Sequence, residues 1–465
     1  MGNTISAFLF DHPDQLPPDL LSKDESDYLS LKIEKENECL IYRYPSALFF
    51  CRVKPQKNNG LILESVRKSG AVLVEKACDE NIKAIQIEDL TENGHLYSFL
   101  EGMLLSGYSF SKYKKEKDKS NELEIHLPDR YLHAVPELEN LVKAVHWARD
   151  LVNEPLSYLT AMKFAEEMTK MATTAGFAIE VFNKQKIQSL KMGGLLAVNR
   201  GSPDPPTFSI LEWKPEKAIN NKPVIFVGKG IVFDTGGLSL KPTPKSMDYM
   251  KCDMAGAAAV AATVYAAAAN KLPVHVLALI PATDNRPDGN AYVPGDIITM
   301  YDGTTVEIRN TDAEGRLILA DALGYAKKYD PELVIDMATL TGSADMIAWK
   351  HAMVGMGNSA AHLSILKETG EEVHERIIEV PLWEDYAEPL KSTIADLNNL
   401  GIREAQATIA GKFLEHFTGY NWIHLDMAGT AFFSEKGSYC PEGGTGAGVR
   451  LLYHFLKKMI TSRAD

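Results

Sequence analysis

From residue 224 onward the apolar positions fall into two alternating patterns. Val224 to Val227, Val274 to Ile280, Leu333 to Met337 and Trp422 to Leu425 are predominantly apolar runs of strand length, broken only by His275, Asp336 and His424. Between them, Ala255 to Ala269, Ile318 to Tyr329 and Ile409 to Phe417 read as helices. Strands that are apolar on both faces need cover on both, so the alternation predicts a mainly parallel, twisted sheet flanked by helices. Ligands of such sheets gather at the carboxyl ends of the strands. Upstream, Leu138, Leu141, Val142, Val145, Ala148, Leu151 and Val152 keep helical spacing and stop at Asn153-Glu154-Pro155, which predicts a linker helix. The first third holds shorter apolar runs, Ala71 to Val74 and Ala84 to Ile87, among charged residues. It ends in the mixed-sign run Lys112 to Lys119, expected to be a solvated loop. The expectation is an α/β chain of two domains. A smaller N-terminal α/β domain spans 1–135, with an oligomeric or regulatory role; a linker helix spans 136–155, and the larger C-terminal domain 156–465.

Composition narrows the class. The 465 residues exceed one ordinary core, and 45% apolar with 24% charged residues is the balance of a globular protein. A net charge of −13 repels polyphosphate and makes nucleic acid an unlikely partner. Five cysteines without CxxC spacing give neither a disulfide framework nor a zinc knuckle. Met1 to Phe10 lacks the marks of a secretory signal, and the Ala255–Ala269 run is too short and weakly apolar to span a bilayer. A cytoplasmic protein without a membrane partner is therefore expected. Met1-Gly2-Asn3-Thr4-Ile5-Ser6 fits the N-myristoylation template, a pattern loose enough to recur by chance.

Several familiar motifs fail on inspection. Gly228-Lys229-Gly230 follows a strand, but Phe233 stands where a dinucleotide loop needs its third glycine, and no Ser or Thr follows Lys229 as in a P-loop. Asp234-Thr235-Gly236 has no second copy to form an aspartic-protease pair. None of the twelve histidines forms the i, i+4 pair of a single-zinc protease.

Three glycine-rich segments remain: Val227 to Lys241, Met250 to Gly256 and Asn310 to Leu317. Singly, Asp253, Asp312 and Glu314 are explained as helix caps, and Lys229 and Lys241 as surface charges. Together they bring four carboxylates and two lysines to the turns of one sheet. Asn310-Thr311-Asp312-Ala313-Glu314-Gly315-Arg316-Leu317 is identical to the signature of the leucine (cytosol) aminopeptidase family. Gly228-Lys229-Gly230, Phe233-Asp234-Thr235-Gly236-Gly237, Thr339-Leu340-Thr341-Gly342, Asn153-Glu154-Pro155 and Gly444 to Arg450 resemble that family in the same order, so the resemblance covers about 140–460.

The resemblance implies a metal-dependent aminopeptidase with its catalytic domain in the C-terminal part. Its metal ligands would be Lys229, Asp234, Asp253, Asp312 and Glu314, with Asp234 and Glu314 touching both of two divalent ions. Lys241 and Arg316 would be the catalytic pair, Arg316 holding a bicarbonate that acts as general base. Met250, Thr339, Leu340 and Gly342 would line a side-chain pocket suited to Leu or Met. A homo-hexamer, a dimer of trimers, is implied as well.

The chemistry is coherent. Four carboxylates balance two dications. A lysine ligates only as the neutral amine, so its ordinary pKa of about 10.4 must fall, as adjacent dications would make it. The all-oxygen site suits Mn²⁺ or Mg²⁺, with Co²⁺ a further occupant, and the amine-bearing site suits Zn²⁺. Two metals about 3.5–4 Å apart hold a bridging hydroxide near neutral pH, while Lys241 steadies the oxyanion. A substrate with a free, neutral α-amine can add a ligand that an internal amide cannot. The chain departs from the pattern in a Lys241–Asp253 loop one residue longer than usual and in Gln406. The competing readings are a two-metal phosphoesterase, which ordinarily recruits histidines, and a non-catalytic or DNA-binding scaffold, which would lack one of the seven site residues.

Overall fold

The computed structural model describes residues 4–115 and 123–464. Met1 to Asn3 of the myristoylation pattern and Glu116 to Lys119 of the charged run lie outside them. The described chain forms two compact units. The first comprises residues up to Lys143 together with Glu371–His374 and Glu435–Pro441. The second holds Ala144–Gly370, Glu375–Ser434 and the chain from Glu442. The linker helix runs Val135–Asn153, and the division falls within it.

In the first unit the strands are β1 (Thr4–Phe10), β2 (Glu38–Arg43), β3 (Ser46–Arg52), β4 (Ala84–Asp89) and β5 (Glu124–His126). They form one sheet ordered β2-β3-β1-β4-β5, in which only β2 runs antiparallel to its neighbour. Helices Asn59–Asp79 and Leu96–Ser106 pack together through glycines. A Cβ at Gly102 would lie 1.9 Å from the Arg67 carbonyl oxygen, and one at Gly70 2.1 Å from that of Phe99. Only glycine lets the two backbones approach so closely.

The second unit continues with β6 (Ala178–Phe182), β7 (Thr207–Trp213), β8 (Val224–Gly228), β9 (Gly230–Asp234), β10 (Val276–Asn285), β11 (Ile297–Thr299), β12 (Thr305–Glu307), β13 (Leu333–Ala338), β14 (Ala352–Gly357), β15 (Arg376–Glu379), β16 (Leu397–Asn398) and β17 (Trp422–Asp426). Its main sheet is ordered β15-β14-β17-β13-β8-β10-β7-β6, with β9 beside β10. The central β17-β13-β8-β10 block is parallel throughout, and antiparallel pairing enters towards the edges at β14–β17, β10–β7 and β7–β6. The α/β class expected from the alternating runs is the fold observed.

The four central strands coincide with the four apolar runs within a few residues, and all their side chains are buried. One face is covered by helix Gly315–Ala326, whose Leu317, Ile318 and Leu323 join Ile225, Val227, Leu277 and Leu279 in the core. Each such side chain contributes about 1.5–3 kcal/mol by leaving water. On the other face lies Ala255–Ala269, apolar all round because the sheet meets one side and helix Val449–Ala464 the other. With the turn Met247–Cys252 before it, this stretch reaches 23 residues and is long and apolar enough for a bilayer by composition. The shorter run considered from the sequence was not. Its residues are nevertheless almost wholly buried inside the protein, where small apolar side chains serve close packing.

Candidate metal centre

The three polar segments converge at the carboxyl ends of β8, β9 and β13. Lys229 follows β8, where its backbone N–H bonds the Met337 carbonyl and its carbonyl accepts from Ala257 N at the start of the Ala-rich helix. Gly256 makes this junction possible, since a Cβ there would sit 2.0 Å from the Met337 oxygen. The Lys229 side chain then crosses Gly315, where any Cβ would lie 2.5 Å from its Cε. Its Nζ donates to Thr339 O at 2.9 Å and faces Asp253 Oδ1 at 2.9 Å and Glu314 Oε1 at 3.0 Å.

Asp234 ends β9. Its Oδ1 accepts from Gly236 N at 2.8 Å and Asn285 Nδ2 at 2.9 Å, and its Oδ2 faces Lys241 Nζ at 2.9 Å. Lys241 also pairs with Asp312. Carboxylate oxygens of Asp234, Asp312 and Glu314 lie within 4.8 Å of one another. Thr339 Oγ1 donates to Asp253 Oδ1 at 2.6 Å. Lys229, Asp234, Asp253 and Glu314 are buried, whereas the side chains of Lys241 and Asp312 are 16% and 31% exposed and form the open side.

The capping explanation fails here. The Ala-rich helix has Met254 at its N-cap and the next helix has Glu314, and neither makes a side-chain cap bond. What remains is four carboxylates facing two ammonium groups, a formal net −2 in a largely buried place. Burial pushes the Asp253, Asp312 and Glu314 carboxyls upward, and the neighbouring carboxylates push further, against the lysines. Burial lowers Lys229 and Lys241, but the surrounding carboxylates outweigh it and hold both above the usual lysine range. The lysines alone thus leave the cluster short of positive charge. Asp253 Oδ2 and Glu314 Oε2 are buried with no hydrogen-bond partner among the described residues. Unpartnered carboxylate oxygens in an underbalanced cluster fit divalent cations, which take oxygen ligands and supply the missing charge.

Arg316, 2% exposed, sits in the turn that opens helix Gly315–Ala326. It lies over the Phe413 ring, donates weakly to Leu400 O at 3.4 Å, and has no hydrogen-bond partner at Nε. Burial lowers its pKa to about 10, so the guanidinium stays charged at neutral pH and can grip a planar anion.

The residues expected to line the pocket are more scattered. Met250 is half-buried one turn before Asp253, whose N–H bonds its carbonyl. Thr339 is committed to Asp253 through its hydroxyl, and Leu340 packs against the hydrophobic core. Gly342 is exposed, with open space where a Cβ would point. The loop after Lys241 is closed by Asp248, whose carboxylate accepts from Lys245 N and Ser246 N, with Lys245 in a left-handed conformation at φ 60°. Gln406 begins helix Gln406–Glu415.

Sequence reasoning missed the residues that brace the side chains of this cluster. Asn285 lies between Asp234 and the Asn310–Leu317 turn. Asn399 ties that turn from the other side, its amide donating to Asn310 O and its Oδ1 accepting from Arg309 N. Asp426, ending β17, accepts from Leu340 N and Thr341 Oγ1. The available signal was a polar residue ending a buried strand, as Asn285 and Asp426 do.

A carboxylate cluster with a buried lysine, at the strand ends of a mostly parallel sheet, defines a metallohydrolase-type centre. The chain belongs to the cytosol aminopeptidase family: the model of that family's catalytic domain matches residues 146–453. The chain is 43% identical over 423 residues to the probable cytosol aminopeptidase of Chlorobium limicola, covering 84% of this chain and 83% of that protein. It is 46% identical over 322 residues to that of Geobacter sulfurreducens, covering 69% and 64%. Among solved structures, the bottromycin maturation enzyme BotP superposes with a TM-score of 0.87 at 28% identity, covering 99% of each chain. BotP has also been solved in complex with Mn. A mutant of tomato leucine aminopeptidase gives 0.86 at 25% identity, covering 98% of this chain and 94% of that one. The protein is an aminopeptidase.

Proposed function

We propose that this aminopeptidase releases N-terminal apolar residues, Leu and Met foremost, from peptides with a free α-amine, using two divalent ions at one centre. Lys229, Asp234, Asp253, Asp312 and Glu314 would hold the ions. Bound there, the ions would acidify water, polarise the scissile carbonyl and take up a neutral α-amine, while a bicarbonate at Arg316 would supply a base. The observation that carries the reading is the buried, charge-deficient carboxylate cluster with its unpartnered Asp253 and Glu314 oxygens.

The chain's own groups divide the remaining work. Lys241, kept an ammonium by Asp234 and Asp312 at the open side, is placed to donate to an oxygen that becomes an oxyanion. Arg316 offers an anion its unpartnered Nε–H, with the guanidinium steadied over the Phe413 ring. Thr339 fixes Asp253 through its hydroxyl and Lys229 through its carbonyl, joining both to the end of β13. Met250 supplies a polarizable, half-buried side chain beside them.

Mn²⁺ and Zn²⁺ are the proposed ions; the Mn complex of BotP supports the first. A cytoplasmic homo-hexamer is proposed on family likeness, and sedimentation measures its mass. The test is leucine release from a Leu-anilide and a Leu-Gly dipeptide with Mn²⁺, with Zn²⁺ and after chelation, beside N-acetylated controls. Cleavage that requires both metal and a free amine is expected. No cleavage under any metal would overturn the reading.

A further inference from the structure

We propose that Asn285 is a positioning residue for the metal centre: it sets which oxygen of Asp234 faces the other carboxylates and locks the Asp234 segment to the Asn310–Leu317 turn. This rests on the proposed metal reading and deepens it. Asn285 ends β10 and is fully buried. Its Nδ2 donates to Asp234 Oδ1 and to Thr311 O, both at 2.9 Å. Both partners only accept, so the amide nitrogen must be the atom that faces them. Its backbone oxygen accepts from Thr235 N at 3.0 Å and Thr235 Oγ1 at 2.9 Å, so one residue holds both sides of the Asp234 turn.

The placement depends on a register shift. Ala282 and Thr283 pair with Gly230 and Ile231, but Asn285 pairs with Asp234, so β9 carries one extra residue over this interval. An unbroken register would set Arg286 opposite Asp234. The bulge sets a neutral amide there instead, and re-aiming a side chain beside a site is what bulges do. The choice of amide matters electrically. A cation would compete with the metals for Asp234, and a fifth carboxylate would add repulsion. Asn285 saturates Oδ1, with Gly236 N, and leaves the net charge alone, so Oδ2 is the oxygen turned towards Lys241 and the cluster.

The other groups near Thr311 do not duplicate this. Tyr292 Oη also donates to Thr311 O, at 2.7 Å, yet among the described residues only Asn285 joins that carbonyl to a ligand carboxylate. Such supporting contacts typically govern metal affinity by about 10–100-fold.

The experiment is a Mn²⁺ titration by calorimetry on the full chain, with circular dichroism and thermal melting on the same samples. It compares wild type, N285A and N285S with T283V. Thr283 is a buried residue of the same strand that bonds Asn199 and touches no ligand, so it reports the effect of merely loosening β10. The expected result is a Kd weakened about 10–100-fold in N285A, less in N285S, whose hydroxyl can keep one of the two bonds, and unchanged in T283V. At saturating Mn²⁺, kcat is expected to fall in N285A with KM little altered. If N285A does not fold, N285S carries the comparison. Wild-type affinity in folded Asn285 variants, or an equal loss in T283V, would overturn the positioning role while leaving the metal reading intact. A wild-type chain that binds no Mn²⁺ would overturn both.

Discussion

Replacing Lys241 by Met should lower turnover without weakening cation binding. Lys241 Nζ faces Asp234 Oδ2 at 2.9 Å and pairs with Asp312, with the side chain 16% exposed. Methionine keeps the length and the apolar stem and removes the charge. The cluster then holds four carboxylates against one ammonium, so its net charge goes from −2 to −3. At 2.9 Å an ion pair is worth about 6 kcal/mol at an effective dielectric constant of 20, before desolvation offsets most of it. Cation affinity should therefore hold or tighten, because a competing cation has left. Turnover should fall, because the oxyanion loses its donor, by about 10²–10³ in kcat, which corresponds to roughly 2.7–4 kcal/mol. Steady-state hydrolysis of a Leu-anilide at saturating Mn²⁺ gives kcat, and calorimetry gives the Mn²⁺ Kd. A K241M enzyme with kcat within threefold of wild type would refute the oxyanion role. A Kd weakened beyond tenfold would instead make Lys241 a part of the cation site's architecture.

Other expectations follow from separate parts of the molecule. Chelation should abolish peptidase activity and lower Tm, because a ligand at 100 times its Kd stabilises the folded state by about 2.7 kcal/mol; titrating Mn²⁺ back should restore both together. G102A in the first unit should destabilise by about 1–3 kcal/mol or more in denaturant unfolding, since its Cβ would sit 1.9 Å from Arg67 O. His424, buried beside Asp336 at 2.6 Å, gives a pH signature. Burial lowers its pKa and Asp336 outweighs that, with Asp426 adding to the rise and Arg316 opposing it, so the folded value lies above the usual 6.5. The pair's stabilisation is complete below pH 6.5 and lost as pH rises through the folded value, so the Tm gap between wild type and H424Q should be wider at pH 6 than at pH 9. An equal gap at both would show that His424 does not titrate differently on folding.

The sequence by itself determined the central strands of the second unit and singled out the charged residues near their ends. Val224 to Val227, Leu333 to Met337 and Trp422 to Leu425 are short and mostly apolar, which suits a sheet covered on both faces, and β8, β13 and β17 match them within a residue. The charged side chains stood out for the same reason, because Lys229, Asp234, Asp253, Asp312 and Glu314 interrupt glycine-rich turns at the ends of such runs. Tertiary structure alone decided what those residues do to one another. Whether Asp253 caps a helix or faces Lys229 depends on a strand end and a turn that lie 24 residues apart in the chain and 2.9 Å apart in space. Periodicity carries no such distance. The positioning groups were hidden for a related reason: Asn285 and Asn399 act through a register shift and a loop closure, and both arise when distant segments pair. Local pattern sets which face of an element is apolar, whereas the side chain that meets a given carboxylate is fixed by packing between elements far apart in sequence.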